Sequence, residues 1–203
     1  MKEYITLIKN PREFFKSVAK EDTNAILKRV MPVVLTMFII QSALGYLISR
    51  KLNAFLNIPS RGPAFYFLTV AIALPLGIII SAALLHLSLK ILKSKSIFSQ
   101  NLKILIYALI PLSIISIISY LIILIIPVLY VQILLFFIFI IALFIAGVIY
   151  EVIGISEQYK ISTGRAVGAY FLHVGLIFGA MIALLIIIII LILIVALVLK
   201  GLK

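Results

Sequence analysis

Between Lys103 and Glu151 the chain carries no charged residue, a stretch too long for one bilayer crossing and about right for two. An apolar helix rising roughly 1.5 Å per residue spans the hydrocarbon core in roughly 20 residues, so this segment must cross, turn and cross back. Pro127 marks the turn. The same test finds further uncharged stretches at 30–49, 62–89 and 166–199, each long enough to cross. The fold class that follows is all-α: a polytopic membrane helical bundle with five transmembrane helices, at about 30–49, 64–89, 104–126, 129–150 and 168–199. Composition agrees, since 65% of residues are hydrophobic and only 12% charged, where soluble domains carry about a quarter. Mean hydropathy is +1.35. The first apolar run follows a charged segment and lacks a small-residue cleavage site, so it reads as a retained span and not as a signal peptide. With no cysteine, disulfides, thiolate metal sites and cysteine nucleophiles are excluded.

Basic loops resist translocation, and the lysines and arginines are unevenly placed. Lys2, Lys9, Arg12, Lys16, Lys20, Lys28 and Arg29 precede the first span. Lys90, Lys93, Lys95 and Lys103 follow the second, and Lys160 and Arg165 follow the fourth. The other side holds Arg50, Lys51, Arg61, Lys200 and Lys203. The sequence therefore predicts a cytoplasmic N-terminus and an outer C-terminus. A net charge of +12 spread over short juxtamembrane segments points to anionic lipid headgroups as partners and not to nucleic acid, for which no folded basic domain exists.

Residues 1–29 divide from 30–203 as a cytoplasmic amphipathic segment ahead of the transmembrane domain. Asn10, Pro11 and Glu13 form a helix start, and the helix places Phe14, Phe15 and Val18 on one side with Arg12, Lys16 and Lys20 on the other. That pattern predicts an interfacial helix with the apolar side in lipid, in preference to the alternative of a solvated or protein-packed helix. Asp22, Thr23 and Asn24 offer a second start. Asn57, Pro59, Ser60, Gly62 and Pro63 make a turn-rich outer loop. Ser99 can cap the third span, and 151–168, rich in charged and small residues, reads as the most chemically varied loop.

Inside the spans, small and hydroxylated residues predict helix contacts: Gly175, Gly179 and Ala183 on the fifth helix, Ala142 and Ala146 on the fourth, and a stripe of Ser113, Ser116 and Ser119 on the third. The fifth-helix ladder is expected to pack inside the bundle or in a homo-oligomer. Pro75 and Pro111 should kink the second and third spans. Glu151, His86 and His173 all lie toward the cytoplasmic side and could form a proton-responsive polar cluster. Nothing in their local spacing builds a relay or a metal site, so each is expected to stand alone at the interface. With no HExxH, GxSxG or phosphate-cradling glycine loop, the chain reads as a non-enzyme without cofactor.

With the loops placed, the chain resembles the Yip family of five-span membrane proteins, in the short form of bacteria and archaea. The resemblance rests on 10–15 (Asn-Pro-Arg-Glu-Phe-Phe), on 98–111 from Phe98 through Ser99, Gln100, Asn101 and Tyr107 to Pro111, and on Gly154, Ile155, Ser156 and Glu157 followed by Thr163, Gly164, Arg165, Ala166 and Val167. It implies the fold of a membrane protein of a prokaryotic cell membrane and no settled activity; the basic N-terminal helix and the absence of charges in the span cores are what point to a protein that organises membrane or binds lipid and protein partners. Eukaryotic members associate with Rab-type GTPases in vesicle trafficking. Their long N-terminal region and Asp-Leu-Tyr-Gly-Pro signature have no counterpart in this sequence, so Rab binding is not carried over. The competing reading is a small transporter or lipid-translocating protein, built on the kinked helices and the serine stripe; an enzyme using Glu151 with a histidine comes third.

Overall fold

In the computed structural model, residues 2–56 and 62–201 are described. They form α1 (Lys2–Lys9), α2 (Pro11–Val18), α3 (Thr23–Leu56), α4 (Pro63–Ile91), α5 (Phe98–Ile125), α6 (Leu129–Tyr159) and α7 (Thr163–Gly201), with no strand among them. The last five are each long and apolar enough to cross a membrane. Asn57, Pro59, Ser60 and Arg61 of the turn-rich loop, and Lys203, lie outside the described residues.

The long helices run alternately up and down, and their contacts close a ring: α3 on α4, α4 on α7, α7 on α6, α6 on α5 and α5 on α3, with α5 also meeting α4. One end carries α1, α2 and the connections α4–α5 and α6–α7. We call it the basic end. Here the helices outrun the spans read from hydropathy. The varied segment 151–168 is not a loop, since α6 continues to Tyr159 and α7 begins at Thr163. Its apolar residues Val152 and Ile155 recur at helical spacing and are buried; the polar residues between them mark a helix leaving the hydrocarbon. Lys160 ends α6 in the left-handed conformation (φ 50°), donating its backbone N–H to Ser156 O. Ser99 is no cap: the residue before α5 is Ile97, which makes no side-chain cap bond, and Ser99 lies within the first turn.

The other helix starts behave as their side chains dictate. Asn10 Oδ1 accepts from Glu13 N–H at 3.4 Å ahead of Pro11, and Asp22 Oδ2 accepts from Ala25 N–H at 3.1 Å. The hydropathy reading has no helix before Asn10, yet α1 is there, with Leu7 fully buried.

The apolar side of α2 does not face lipid. Phe14, Phe15 and Val18 are 3%, 0% and 3% exposed and share one core with Leu7, Ile26, Val30 and Tyr107. The Phe14 ring stands edge-on to Tyr107 at 4.8 Å. Gly154 makes room for Phe15: a Cβ there would fall 3.2 Å from the Phe15 ring and 2.8 Å from Ile104 Cγ2. Residues 2–29 are thus built into the bundle, while Arg12, Lys16 and Lys20 remain exposed.

α4 and α5 run unbroken through Pro75 and Pro111, and α3 through Pro32. Pro127 lies in the connection between α5 and α6. That connection leaves carbonyls open at the end of α5. Lys51 Nζ donates to Leu124 O (3.3 Å) and Ile126 O (3.0 Å), and Gln132 Nε2 to Ile123 O (3.0 Å) and Ile126 O (2.6 Å). Ser113 and Ser119 are buried and Ser116 is half-buried, with Gln41 Nε2 donating to Ser113 O.

The small-residue ladders separate. Ala146 and its neighbour Gly147 are buried, Ala142 half-buried, and a Cβ on Gly147 would sit 3.8 Å from the Tyr170 hydroxyl oxygen. Gly175, Gly179 and Ala183 are exposed, and a Cβ on Gly175 or Gly179 would meet nothing within 4 Å. Packing of this ladder inside the bundle is therefore ruled out: α7 leans on α4 and α6 only through its first half, and 181–195 are all exposed.

Candidate functional site

Two polar constellations stand out. The first fastens the basic end. Arg29 reaches Glu21 Oε2 at 2.7 Å, Tyr107 Oη at 3.0 Å and Glu3 at 3.6 Å, and Lys103 Nζ donates to the Glu21 carbonyl. Gln158 Nε2 donates to Phe15 O at 3.0 Å, tying α6 to α2. Glu157 lies 3.6 Å from Arg12 and 3.9 Å from Lys16. Tyr159 donates to Asn101 Oδ1 at 2.6 Å; Asn101 Nδ2 donates to Ser96 Oγ, which also meets His86 Nδ1 at 2.9 Å. His86, within α4, is thus tied to the α4–α5 connection and not to a cluster with the other histidine.

The second constellation lies deeper. Glu151 and His173 do not stand alone as expected: His173 Nδ1 is 3.4 Å from Glu151 Oε2, with His173 only 2% exposed and Glu151 15%. His173 Nε2 lies 2.9 Å from Ser81 Oγ. The reason is the tight α6–α7 turn, which brings the two helices antiparallel and sets Glu151 beside His173. Glu151 Oε2 and His173 Nδ1 are both enclosed, and neither makes a well-aligned hydrogen bond. The order Ser81, His173, Glu151 has the connectivity of a nucleophile relay. Ser81, however, is interior to α4, where the helix uses the backbone N–H groups and none remains to hold an oxyanion.

One cavity adjoins this cluster, and a second adjoins the first. The smaller, about 360 Å³, is lined by Gly77, Ser81, Leu105, Ala108 and Glu151 among others. The larger, about 700 Å³, lies toward the far end between α3, α4, α5 and α6, where Gln41, Asn53, Tyr120 and Gln132 interrupt an apolar wall. Phe38, Thr69 and Val70 belong to both linings, so the two adjoin. The serines at 113, 116 and 119 line neither. Among the described residues no group of three or more histidines and carboxylates converges as metal ligands would.

Sequence reasoning passed over Ser81, Gln132 and Gln158, and used Gly154 only for the family resemblance. Gln132 carried a usable signal, as an amide inside an otherwise apolar span needs a partner.

The Yip1 domain family model matches residues 5–183, from α1 into the second half of α7. The chain belongs to the Yip family. The match takes in α1 and α2, in keeping with their place in the core of this Yip-family protein. No curated protein and no solved structure matches the chain. As an integral membrane protein of this family it contacts lipid along its five long helices.

Proposed function

We propose that this Yip-family chain is a non-enzymatic membrane organiser of a prokaryotic cell membrane, which gathers anionic lipid headgroups or a membrane-protein partner on its basic end, and that this end is cytoplasmic. One observation carries the reading: Arg12, Lys16, Lys20, Lys28, Lys93 and Lys160 come from two helices and three connections, and all are exposed at the same end. The aromatic side of α2 is locked in the core, so these charges sit on a fixed platform and not on a loose interfacial helix. Each basic side chain near an anionic leaflet contributes about 1 kcal/mol, screened over roughly 10 Å at moderate salt.

The test uses the whole protein in nanodiscs of mixed anionic and neutral lipid. Anionic lipid should be enriched around the wild type, less so at high salt, and the triple variant K16E/K20E/K28E should lose most of the enrichment. Equal lipid composition around both proteins would sink the reading. Orientation is separable: a single cysteine at Lys20 should react with an impermeant thiol reagent only after cell lysis.

A second reading, a small transporter or lipid-translocating protein, draws support from the adjoining cavities and from the meeting of Glu151 with His173. It ranks lower because the basic end beneath them is filled by Leu85, Leu89, Ile104 and Ile155, each 0% exposed. Accelerated passage of fluorescent lipid between leaflets of reconstituted vesicles would reverse that order.

A further inference from the structure

We infer that Glu151 and the two adjoining cavities form a binding site for an amphiphilic amine: one ammonium group against the carboxylate and an aliphatic chain in the larger cavity. Glu151 lies about 12 Å along α6 from its end at Tyr159, so its charge is held well inside the bundle. A carboxylate at such a depth is unfavourable without a partner that carries donors and positive charge. Its enclosed Oε2 has no hydrogen bond, and His173 Nδ1, 3.4 Å away, is misaligned for one. The other nitrogen of that ring is engaged by Ser81.

The lining selects the class of ligand. Among the described residues that line the smaller cavity Glu151 is the one that is charged, and Ser81 and Thr69 add hydroxyl acceptors. An ammonium offers three donors and no acceptor, which suits one carboxylate and neighbouring hydroxyls. A phosphate-bearing headgroup would find no cation there. Beyond Phe38, Thr69 and Val70 the larger cavity is predominantly apolar, with Phe65, Ile133, Phe136 and Phe137 in its wall, and takes an alkyl chain. The chain's net charge of +12 repels cations in general, so attraction of an ammonium has to come from the site.

The experiment compares dodecylammonium with dodecanol, of the same chain length and without charge, on the full protein in nanodiscs of neutral lipid. Calorimetric titration should show dodecylammonium binding at least about tenfold more tightly, the difference one charge-assisted contact makes. Glu151→Gln should abolish that preference. Val70→Phe, at the junction of the cavities, should weaken dodecylammonium and spare butylammonium. Equal affinity for amine and alcohol in the wild type, which needs no variant to fold, overturns the inference. So does a preference that survives Glu151→Gln. The site is separate from the basic platform and rests on neither reading given above.

Discussion

The basic end and the far half of the same helices are held together by different means. At the basic end Leu7, Phe15, Ile26, Leu89, Ile104 and Ile155 are fully enclosed, and side-chain hydrogen bonds join α2, α3, α4, α5 and α6. In the far half, Phe136, Phe137, Ile140 and Ile141 of α6 and 181–195 of α7 lie open. Helix length explains the contrast. α6 spans about 46 Å against a hydrocarbon core of about 30 Å, so part of every long helix stands in the headgroups or in water. There the hydrophobic effect drives apolar side chains together. Within hydrocarbon, lipid tails are as apolar as isoleucine, and only close shape fit or hydrogen bonding favours one helix beside another.

Three substitutions test this division, in decreasing size of effect. Phe15→Ala empties the core between α2, α5 and α6 and should destabilise the protein by about 3–5 kcal/mol, read as a lower midpoint of denaturant-induced unfolding in micelles. A loss below about 1 kcal/mol would mean that α2 sits on the bundle without holding it. Gly154→Val adds atoms where a Cβ already falls 2.8 Å from Ile104 Cγ2, and overpacking of this kind costs about 1–3 kcal/mol. Pairing it with Ile104→Ala should recover part of the loss, and strict additivity of the two changes would show that these residues do not meet. Gly179→Leu, in the far half, should leave the melting temperature of the monomer unchanged, because nothing lies within 4 Å of the added carbon. A drop in melting temperature together with dissociation of a larger species would instead place Gly175, Gly179 and Ala183 in a homo-oligomer contact.

The five long helices were legible because hydropathy over a long window reports one physical requirement, that no charge be left in hydrocarbon. The two faces of α2 were legible for a similar reason: Phe14, Phe15 and Val18 fall together at helical spacing. What covers such a face was not, since an amphipathic helix has one pattern whether its apolar side meets lipid or Tyr107 and Gly154. α1 escaped because eight residues with charges at both ends give too little periodicity to stand out. The meeting of Glu151 and His173 was within reach. The two are equally far from Ser162 in the chain, so a short antiparallel turn at 160–162 pairs them directly. Treating 151–168 as a loop hid the register.

The open carbonyls at the end of α5 carry a consequence for biosynthesis. Lys51 belongs to a helix made before α5, and Gln132 to the one made after it. When the ribosome delivers Leu124 and Ile126, the ammonium that receives them is already in place from the earlier helix, and the amide follows within a few residues. The hairpin of α5 and α6, uncharged between Lys103 and Glu151, can thus be released sideways from the insertion channel as one unit, with its turn met from both directions in the order of translation.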